Sequence, residues 1–314
     1  YFKLLVQIGF KEIEVGFPSA SEDDFSFTRR LIEEKLIPDD VTISVLVQSR
    51  EHLIKRTVES LRGVKRAVIH AYIATSDLHT EHVFGMNRES VITTAVDAVK
   101  LIRSETERVI GKGVIGLEFS PEEFTDTDQD FALRICEAVF EAWAPYEDEK
   151  IIFNLPMTVE RRLPNEYADM IEDFLNRFKY RTRSIVSLHA HNDMGCAVAA
   201  SMMALMAGAD RVEGTLLGHG ERTGNLDLIT MALDLEYLGI DTGLDFSNLP
   251  DIVATVEDVT GIPVHARHPY SGELVFTAFS GSHQDAINKG FVKKEQLAER
   301  FGGWKIPYLH VDPS

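Results

Sequence analysis

The sequence has few cysteines, no long apolar run and far fewer cations than anions. Cys136 and Cys196 are its only cysteines, which argues against a disulfide framework and fits a reducing compartment. We therefore expect a cytoplasmic protein, or a mitochondrial one if the source is a eukaryote. No apolar stretch approaches the roughly 20 residues of a membrane span, so we expect no membrane partner. The 32 basic and 50 acidic side chains give a formal charge of −18, which argues against binding nucleic acid.

Strand-like and helix-like segments alternate through most of the 314 residues. We count seven strands, and no two of them are consecutive in the sequence. This rhythm predicts a parallel sheet, either closed as a (β/α)8 barrel or open and doubly wound. The sequence begins inside a helical pattern, so one strand before Tyr1 would complete eight. We therefore favour a (β/α)8 TIM barrel whose first strand is absent from this sequence.

The rhythm changes after about residue 241, where irregular and aromatic-rich sequence follows a further helix. We predict a catalytic barrel over residues 1–244 and a small, mainly helical or irregular subdomain over residues 245–314. The subdomain is too short to bury a core of its own. We expect it to pack on the barrel, and more specifically on the barrel of a partner subunit. Both ends of the sequence are interpreted as cut or unobserved.

The stretch Ser187–Asp193 contains two histidines spaced two apart at the end of a strand. Alternate side chains of a strand point to one face, so His189 and His191 aim the same way. Neutral imidazole is a common ligand of divalent ions. Two ligands do not make a site, however, and a pair of surface histidines fits the same pattern. In metal-dependent amidohydrolases such a motif ends the first strand. Here it ends the seventh of eight, which counts against a hydrolase.

Polar residues mark the ends of the other predicted strands, and barrel active sites gather at those ends. They include His70, Tyr72, Glu122, Asn154, Thr158 and Asn225. Several of these, together with His283 in the subdomain, have a structural alternative. Glu122 fits a helix N-terminus, Thr158 a hydroxyl bonded to backbone, Asn225 a helix N-cap, His70 a core histidine, and His283 a residue at a helix start. The glycine-rich loop 218–225 lacks the residues of a P-loop, so it is weak evidence for phosphate binding.

Five longer stretches carry a resemblance that covers almost the whole sequence. They are residues 11–18 (KEIEVGFP), 152–156 (IFNLP), 188–193 (LHAHND), 220–225 (GERTGN) and 277–286 (TAFSGSHQDA). In these stretches the chain resembles the α-isopropylmalate synthase family. That family belongs to a superfamily of barrel lyases and acyl-CoA aldolases that includes homocitrate synthase and hydroxymethylglutaryl-CoA lyase. The last stretch and the glycine-rich loop are specific to the isopropylmalate and citramalate branch.

The resemblance implies a Claisen-type condensation of acetyl-CoA with 2-oxoisovalerate, followed by thioester hydrolysis to 2-isopropylmalate and CoA. This is the first committed step of leucine biosynthesis. By position, His189, His191 and Asn225 would bind a divalent metal ion such as Mg, Mn or Zn. Glu122 and His283 would be catalytic, and either one is a candidate for the base. His70, Tyr72, Asn154 and Thr158 would bind the ketoacid.

The resemblance also implies a homodimer, because the histidine matching His283 reaches the partner's site. The family's first strand carries an Arg-Asp pair, and its C-terminal domain senses leucine; neither is in this sequence. We therefore expect the chain as written to be inactive or nearly so. Citramalate synthase and homocitrate synthase are the alternatives within the superfamily. A catalytically dead barrel that serves as a scaffold is the alternative from another class.

Overall fold

The chain divides into two compact units, residues 1–247 and residues 248–314. The computed structural model describes residues 1–301, so the end of the predicted subdomain, residues 302–314, lies outside the described residues. No helix among residues 1–301 is both long and apolar enough to cross a membrane.

The first unit contains a seven-stranded sheet in which every neighbouring pair is parallel and spatial order follows chain order. The strands are β1 Glu12–Glu14, β2 Thr42–Gln48, β3 Ala67–Ala74, β4 Ile115–Glu122, β5 Ile151–Met157, β6 Ser184–Ala190 and β7 Arg211–Glu213. This confirms the seven predicted strands and their parallel arrangement.

Helices fill the connections, as parallel pairing requires. Those of the first unit are α1 Phe2–Ile8, α2 Glu22–Glu33, α3 Glu51–Ser60, α4 Arg88–Val109, α5 Gln129–Trp143, α6 Pro164–Arg177, α7 Ala197–Met206 and α8 Leu228–Tyr237. Those described in the second unit are α9 Leu249–Thr260, α10 Gly281–Val292 and α11 Lys294–Phe301.

The apolar core lies between the sheet and these helices. Ile43, Val45 and Val47 alternate along β2 and are fully buried, as expected for β-branched side chains that pack under a helical layer. From the helix side, α5 contributes the buried Phe131 and Trp143. The other face of the sheet carries polar side chains, and it curves strongly. Arg211 Nη1 on β7 lies 2.6 Å from Glu12 Oε2 on β1, across the two edges of the described sheet.

Three predicted segments were wrong in detail. The sequence of residues 211–217 predicts one strand, but the strand ends at Glu213; after Gly214 the backbone of Thr215 hydrogen-bonds to Leu226 and Leu228 instead. The polar sequence of residues 75–87 predicts a loop, but the segment contains a π-helical turn, Leu78–Val83. The sequence of residues 261–289 predicts irregular structure, but the segment includes most of α10. No residue of that helix is buried. A helix without a buried face does not need the apolar periodicity by which a helix is predicted from sequence.

Candidate active site

The two predicted histidine ligands lie at the carboxyl end of β6, with Asn225 beside them. The rings of His189 and His191 have centroids 5.3 Å apart and planes at 75°. His191 forms an isolated β-bridge with Asn225, and Asn225 Nδ2 is 3.2 Å from His189 Nε2. The structure therefore brings together all three residues proposed to bind metal.

This donor set fits a divalent ion. Asn225 Oδ1 is buried and has no hydrogen-bond partner among residues 1–301, although buried polar atoms normally have one. The Nδ1 of His191 lies against the carbonyl of Thr158 and 2.9 Å from Arg222 Nη2, so Nδ1 is occupied by protein groups and Nε2 is the nitrogen available to an ion. Burial, and then the neighbouring His189, lower the pKa of His191. The imidazole is therefore neutral, which is the form that binds metal.

The alternative role of Asn225 as a helix N-cap is wrong. The N-cap of α8 is Asp227, whose carboxylate accepts hydrogen bonds from the backbone N–H groups of Ile229 and Thr230. Because the helix has its own cap two residues later, the amide of Asn225 is left to face the histidines.

The glycine-rich loop closes around Asn225 and is clamped by Arg222. A Cβ on Gly220 would overlap Asn225 Oδ1, so only glycine allows this close approach. Arg222 donates to both carboxylate oxygens of Asp193, at 2.7 and 3.0 Å, and to the carbonyl of Thr158 at 2.7 Å. This hydrogen-bonded ion pair holds the pKa of Asp193 well below its usual range. The glycines thus serve the packing of the loop against the candidate metal ligands.

Glu122, the predicted catalytic carboxylate, is the last residue of β4. Its alternative reading as a helix N-terminal residue is therefore wrong. Burial first, and the adjacent Glu123 second, raise the pKa of Glu122, and His189 is among the groups whose charge acts on it. A partly buried carboxylate with a raised pKa is suited to accept and keep a proton.

Glu123 is a neighbour that the sequence reasoning missed. It adopts a left-handed φ of 63°, its carboxylate contacts Ser76 Oγ, and it lies 2.7 Å from His79 Nδ1. Its backbone N–H donates to Thr158 Oγ1 at 2.9 Å. Thr158 therefore does bond backbone, as its alternative reading has it, but its own hydroxyl hydrogen stays available to a ligand. The two consecutive glutamates at a strand end were the signal that could have found Glu123.

The other three residues proposed to bind the ketoacid differ in depth. Tyr72 is partly exposed, at the end of β3, with its ring edge-on to Phe17. His70 and Asn154 are buried. His70 bonds Ser120 Oγ at 2.7 Å and Glu14 Oε2 at 2.8 Å, so their contact with substrate stays a prediction.

A charged cluster lies next to these residues and was also missed. It consists of Glu12, Glu14, His70, Glu118, Asn154, Ser187, Arg211 and Glu213. Arg211 Nη2 is 2.6 Å from Glu213 Oε1 and 3.0 Å from Glu118 Oε2. The signal was present in the sequence, since Glu118, Arg211 and Glu213 interrupt otherwise apolar strands at alternate positions.

His70, Glu118 and Glu213 each place a ligand atom within 4.8 Å of the others, as metal ligands would. The guanidinium of Arg211 already pairs with both glutamates, and His70 adds a second cation. Burial alone would lower the pKa of His70, but Glu118 and Glu14 raise it to about 9. A divalent ion would meet two positive groups there, so the neutral set around His189 is the better metal site.

His283, the second predicted catalytic residue, lies in the first turn of α10 and is exposed. It belongs to the second compact unit. Its position agrees with the alternative reading as a residue at a helix start, and its catalytic role stays a prediction.

Comparisons with known proteins identify the family of the chain. The sequence model of the HMGL-like family matches residues 1–256. The chain belongs to the HMGL-like family. A second model, described as alpha-isopropylmalate synthase, post-catalytic domain-like, matches residues 273–314 of this HMGL-like protein.

Relatives along the full chain confirm the resemblance drawn from the motifs. The HMGL-like protein is 56% identical to a 2-isopropylmalate synthase of Ralstonia nicotianae over 313 residues, which are 100% of this chain and 54% of that protein. It is 54% identical to a 2-isopropylmalate synthase of Saccharomyces cerevisiae, covering 100% of this chain and 51% of that protein. The chain thus spans about half the length of the curated relatives it matches.

Solved structures confirm the fold. An HMG-CoA lyase of Bacillus subtilis matches with a TM-score of 0.64 at 19% identity, covering 85% of this chain and 87% of that one. An HMG-CoA lyase of Acinetobacter baumannii matches with a TM-score of 0.64 at 17% identity, covering 88% and 86%. At these identities the likeness concerns architecture alone.

Proposed function

We propose that this protein condenses acetyl-CoA with 2-oxoisovalerate to give 2-isopropylmalate and CoA, the first committed step of leucine biosynthesis. One observation carries the proposal. In a chain 56% identical to a 2-isopropylmalate synthase, His189 and His191 lie beside Asn225, whose buried amide oxygen lacks a hydrogen-bond partner among the described residues.

His189, His191 and Asn225 are proposed to hold a divalent ion (Mg, Mn or Zn). Such an ion would polarise the keto carbonyl and stabilise the alkoxide formed on attack. Thr158 would donate its hydroxyl hydrogen to the ketoacid carboxylate. Tyr72, His70 and Asn154 are proposed to line the ketoacid pocket.

Glu122 is proposed as the base that removes a methyl proton from acetyl-CoA. The electron pair left on carbon then forms the new bond to the keto carbon. Because its pKa is raised by burial, the carboxylate would retain the proton until the thioester is hydrolysed. His283 is the competing candidate for this role.

An acetyl-CoA-dependent thiol-release assay tests the activity. The 314-residue chain, which we expect to be inactive or nearly so, and a longer chain that carries the family's Arg-Asp strand before Tyr1 are supplied in parallel with 2-oxoisovalerate, pyruvate or 2-oxoglutarate, each with and without added Mn²⁺. For the longer chain we expect the highest kcat/KM with 2-oxoisovalerate. Preference for pyruvate would indicate a citramalate synthase, and preference for 2-oxoglutarate a homocitrate synthase. Elemental analysis adds a further test, since a scaffold without catalysis has no need of a stoichiometric divalent ion.

The proposal includes a homodimer in which each subunit supplies His283 to its partner's site. We expect His283→Ala to lower kcat far more than it raises the KM for 2-oxoisovalerate, because the residue acts on the reacting proton. Turnover equal to that of the unmodified protein would remove His283 from the mechanism. The proposed location is the cytoplasm, or the mitochondrion in a eukaryote; one similar protein is named 2-isopropylmalate synthase 2, mitochondrial.

A further inference from the structure

Glu213 stands directly behind His189, on the side away from Asn225. The two residues are partners in the parallel register of β6 and β7, so their side chains leave the same face side by side. Glu213 Oε2 is 3.6 Å from His189 Nδ1, whereas Asn225 faces Nε2 of the same ring. The two ring nitrogens therefore meet different groups.

The hydrogen-bonding neighbours decide which ring nitrogen carries the proton. Among the described residues, the polar side-chain groups at His189 Nδ1 are the Glu213 carboxylate and the Asn154 amide, whose Nδ2 is 3.4 Å away. Nδ2 is a donor, and it already donates to Glu213 Oε2 at 2.6 Å. The acceptor available to an Nδ1 proton is Glu213.

The carboxylate of Glu213 is itself held in place. Its Oε1 accepts from Ser187 Oγ at 2.5 Å and from Arg211 Nη2 at 2.6 Å, and Asn154 binds its Oε2. A carboxylate fixed by three donors cannot turn away from the imidazole without breaking these bonds. The Glu213 carboxylate therefore keeps a fixed position beside the imidazole of His189.

We propose that Glu213 is a positioning residue that accepts the Nδ1 proton of His189 and so directs an unprotonated Nε2 towards the metal. This inference deepens the proposed function and rests on its metal site. A carboxylate behind a metal-binding histidine fixes the tautomer and orientation of the ring, and loss of such a partner typically weakens metal binding 10- to 100-fold.

Glu213→Gln gives a sharp test because the surrounding donors dictate how a glutamine must sit. Arg211 and Ser187 both donate to the Oε1 position, against Asn154 alone at the Oε2 position, so we expect the glutamine carbonyl to be held at Oε1. Its NH2 group then faces His189 Nδ1 and Asn154, and it can only donate. The histidine must respond by moving its proton to Nε2, where it blocks metal coordination.

The first measurement is the tautomer of His189 in the metal-free protein, read from nitrogen chemical shifts of 15N-histidine-labelled samples. His189→Asn provides the assignment. We expect the Nδ1–H form in the unmodified protein and the Nε2–H form in Glu213→Gln. An Nε2–H tautomer in the unmodified protein would overturn the proposal without any need for a variant.

The second measurement is the affinity of the metal-free protein for Zn²⁺ alone, by calorimetric titration. Glu12→Gln is the matched control, since Glu12 also pairs with Arg211, at 2.6 Å, and sits on a strand that does not neighbour β6. We expect Kd to rise about 10- to 100-fold in Glu213→Gln, and to change less than about 2-fold in Glu12→Gln. Equal effects of the two variants would overturn the positioning role.

Failure of the proposed function gives a different result. If the unmodified protein shows the Nδ1–H tautomer but the longer chain with the Arg-Asp strand releases no thiol from acetyl-CoA with any of the three ketoacids, the condensation is wrong and the role of Glu213 stands. If thiol release is normal and Glu213→Gln leaves both the tautomer and the Zn²⁺ affinity unchanged, the role of Glu213 is wrong and the condensation stands.

Discussion

Two groups of polar residues meet on the inner face of the sheet, and they differ in how far their members satisfy one another. The candidate metal-site group, His189, His191 and Asn225, consists of two imidazoles and an amide whose buried oxygen has no partner in the described part of the chain. The buried charge cluster is centred on Arg211, Glu118 and Glu213, and the carboxyl groups of both glutamates bind the arginine.

This difference indicates which group supports the fold and which group is suited to bind a ligand. A buried charge is tolerated when a hydrogen-bonded counter-charge accompanies it, and a group satisfied in this way has little left to offer a ligand. A neutral group with a buried oxygen that accepts no hydrogen bond still has a lone pair to offer, so it is suited to bind an ion. In this proposal the charged residues hold the strands and the ring of His189, while His189, His191 and Asn225 form the candidate metal site.

Arg211→Met is expected to have the largest effect, because it removes the cation shared by Glu118 and Glu213. Breaking a buried pair by deleting one partner costs about 3–5 kcal/mol of unfolding free energy. Urea denaturation at pH 7 measures it. Arg177→Met is the control, since that arginine makes exposed ion pairs with Asp130 and Asp173 and should cost less than about 1 kcal/mol. If the two variants lose similar amounts of unfolding free energy, the buried ion pairs of Arg211 stabilise the fold no more than the exposed pairs of Arg177.

His191→Ala should act on binding and spare the fold. We expect the Kd for Zn²⁺ to rise at least about 100-fold, or about 2.7 kcal/mol, because one of two imidazole ligands is gone. Unfolding of the metal-free protein should shift little, since no apolar core is opened. His52→Ala, at an exposed position of α3, serves as the control. An unchanged Zn²⁺ affinity in His191→Ala would place the metal elsewhere.

Alkaline pH should weaken the charged cluster. Burial and the adjacent Glu213 raise the pKa of Glu118 to about 8, and Glu118 and Glu14 overcome burial to raise that of His70 to about 9. Both groups bind protons more tightly when folded. The stability they confer is therefore present at low pH and is lost as pH rises through 8 and 9.

Unfolding free energy, measured by urea titration from pH 6 to pH 10, should fall by several kcal/mol over this range, because the folded-state pKa values of both groups exceed their ordinary values within it. Glu118→Gln replaces the protonated carboxyl by a neutral group of similar shape, so its profile should be flatter. If the unfolding free energy of the unmodified protein instead rises towards pH 10, Glu118 and His70 do not bind protons more tightly in the folded state.

Gly220→Ala is the mildest change and tests the neutral group alone. Its methyl group would overlap Asn225 Oδ1, so the amide must turn away from the histidines. We expect about a 10-fold rise in the Kd for Zn²⁺, equal to about 1.4 kcal/mol. Gly116→Ala is the control, because a Cβ there meets only Val68, at 3.5 Å. If both alanine variants bind Zn²⁺ as the unmodified protein does, Asn225 is not a ligand.

Particular residues show how far the sequence leads. His189 and His191 were found because a strand repeats every two residues, and Glu122 because barrel sites gather at strand ends. Glu123 was missed, because its role depends on a left-handed backbone and on His79, which is distant in the sequence. Glu213 was missed as well, because it was interpreted only as part of a strand.

The sequence by itself determined the seven alternating strands, their parallel order and the pair of histidines on one face, since these follow from local periodicity and connection length. The tertiary structure alone decided which charges meet. The register between β6 and β7 sets Glu213 beside His189, and the curvature of the sheet brings Arg211 to Glu12. Such pairings depend on distances between strands far apart in the chain, which no local pattern encodes.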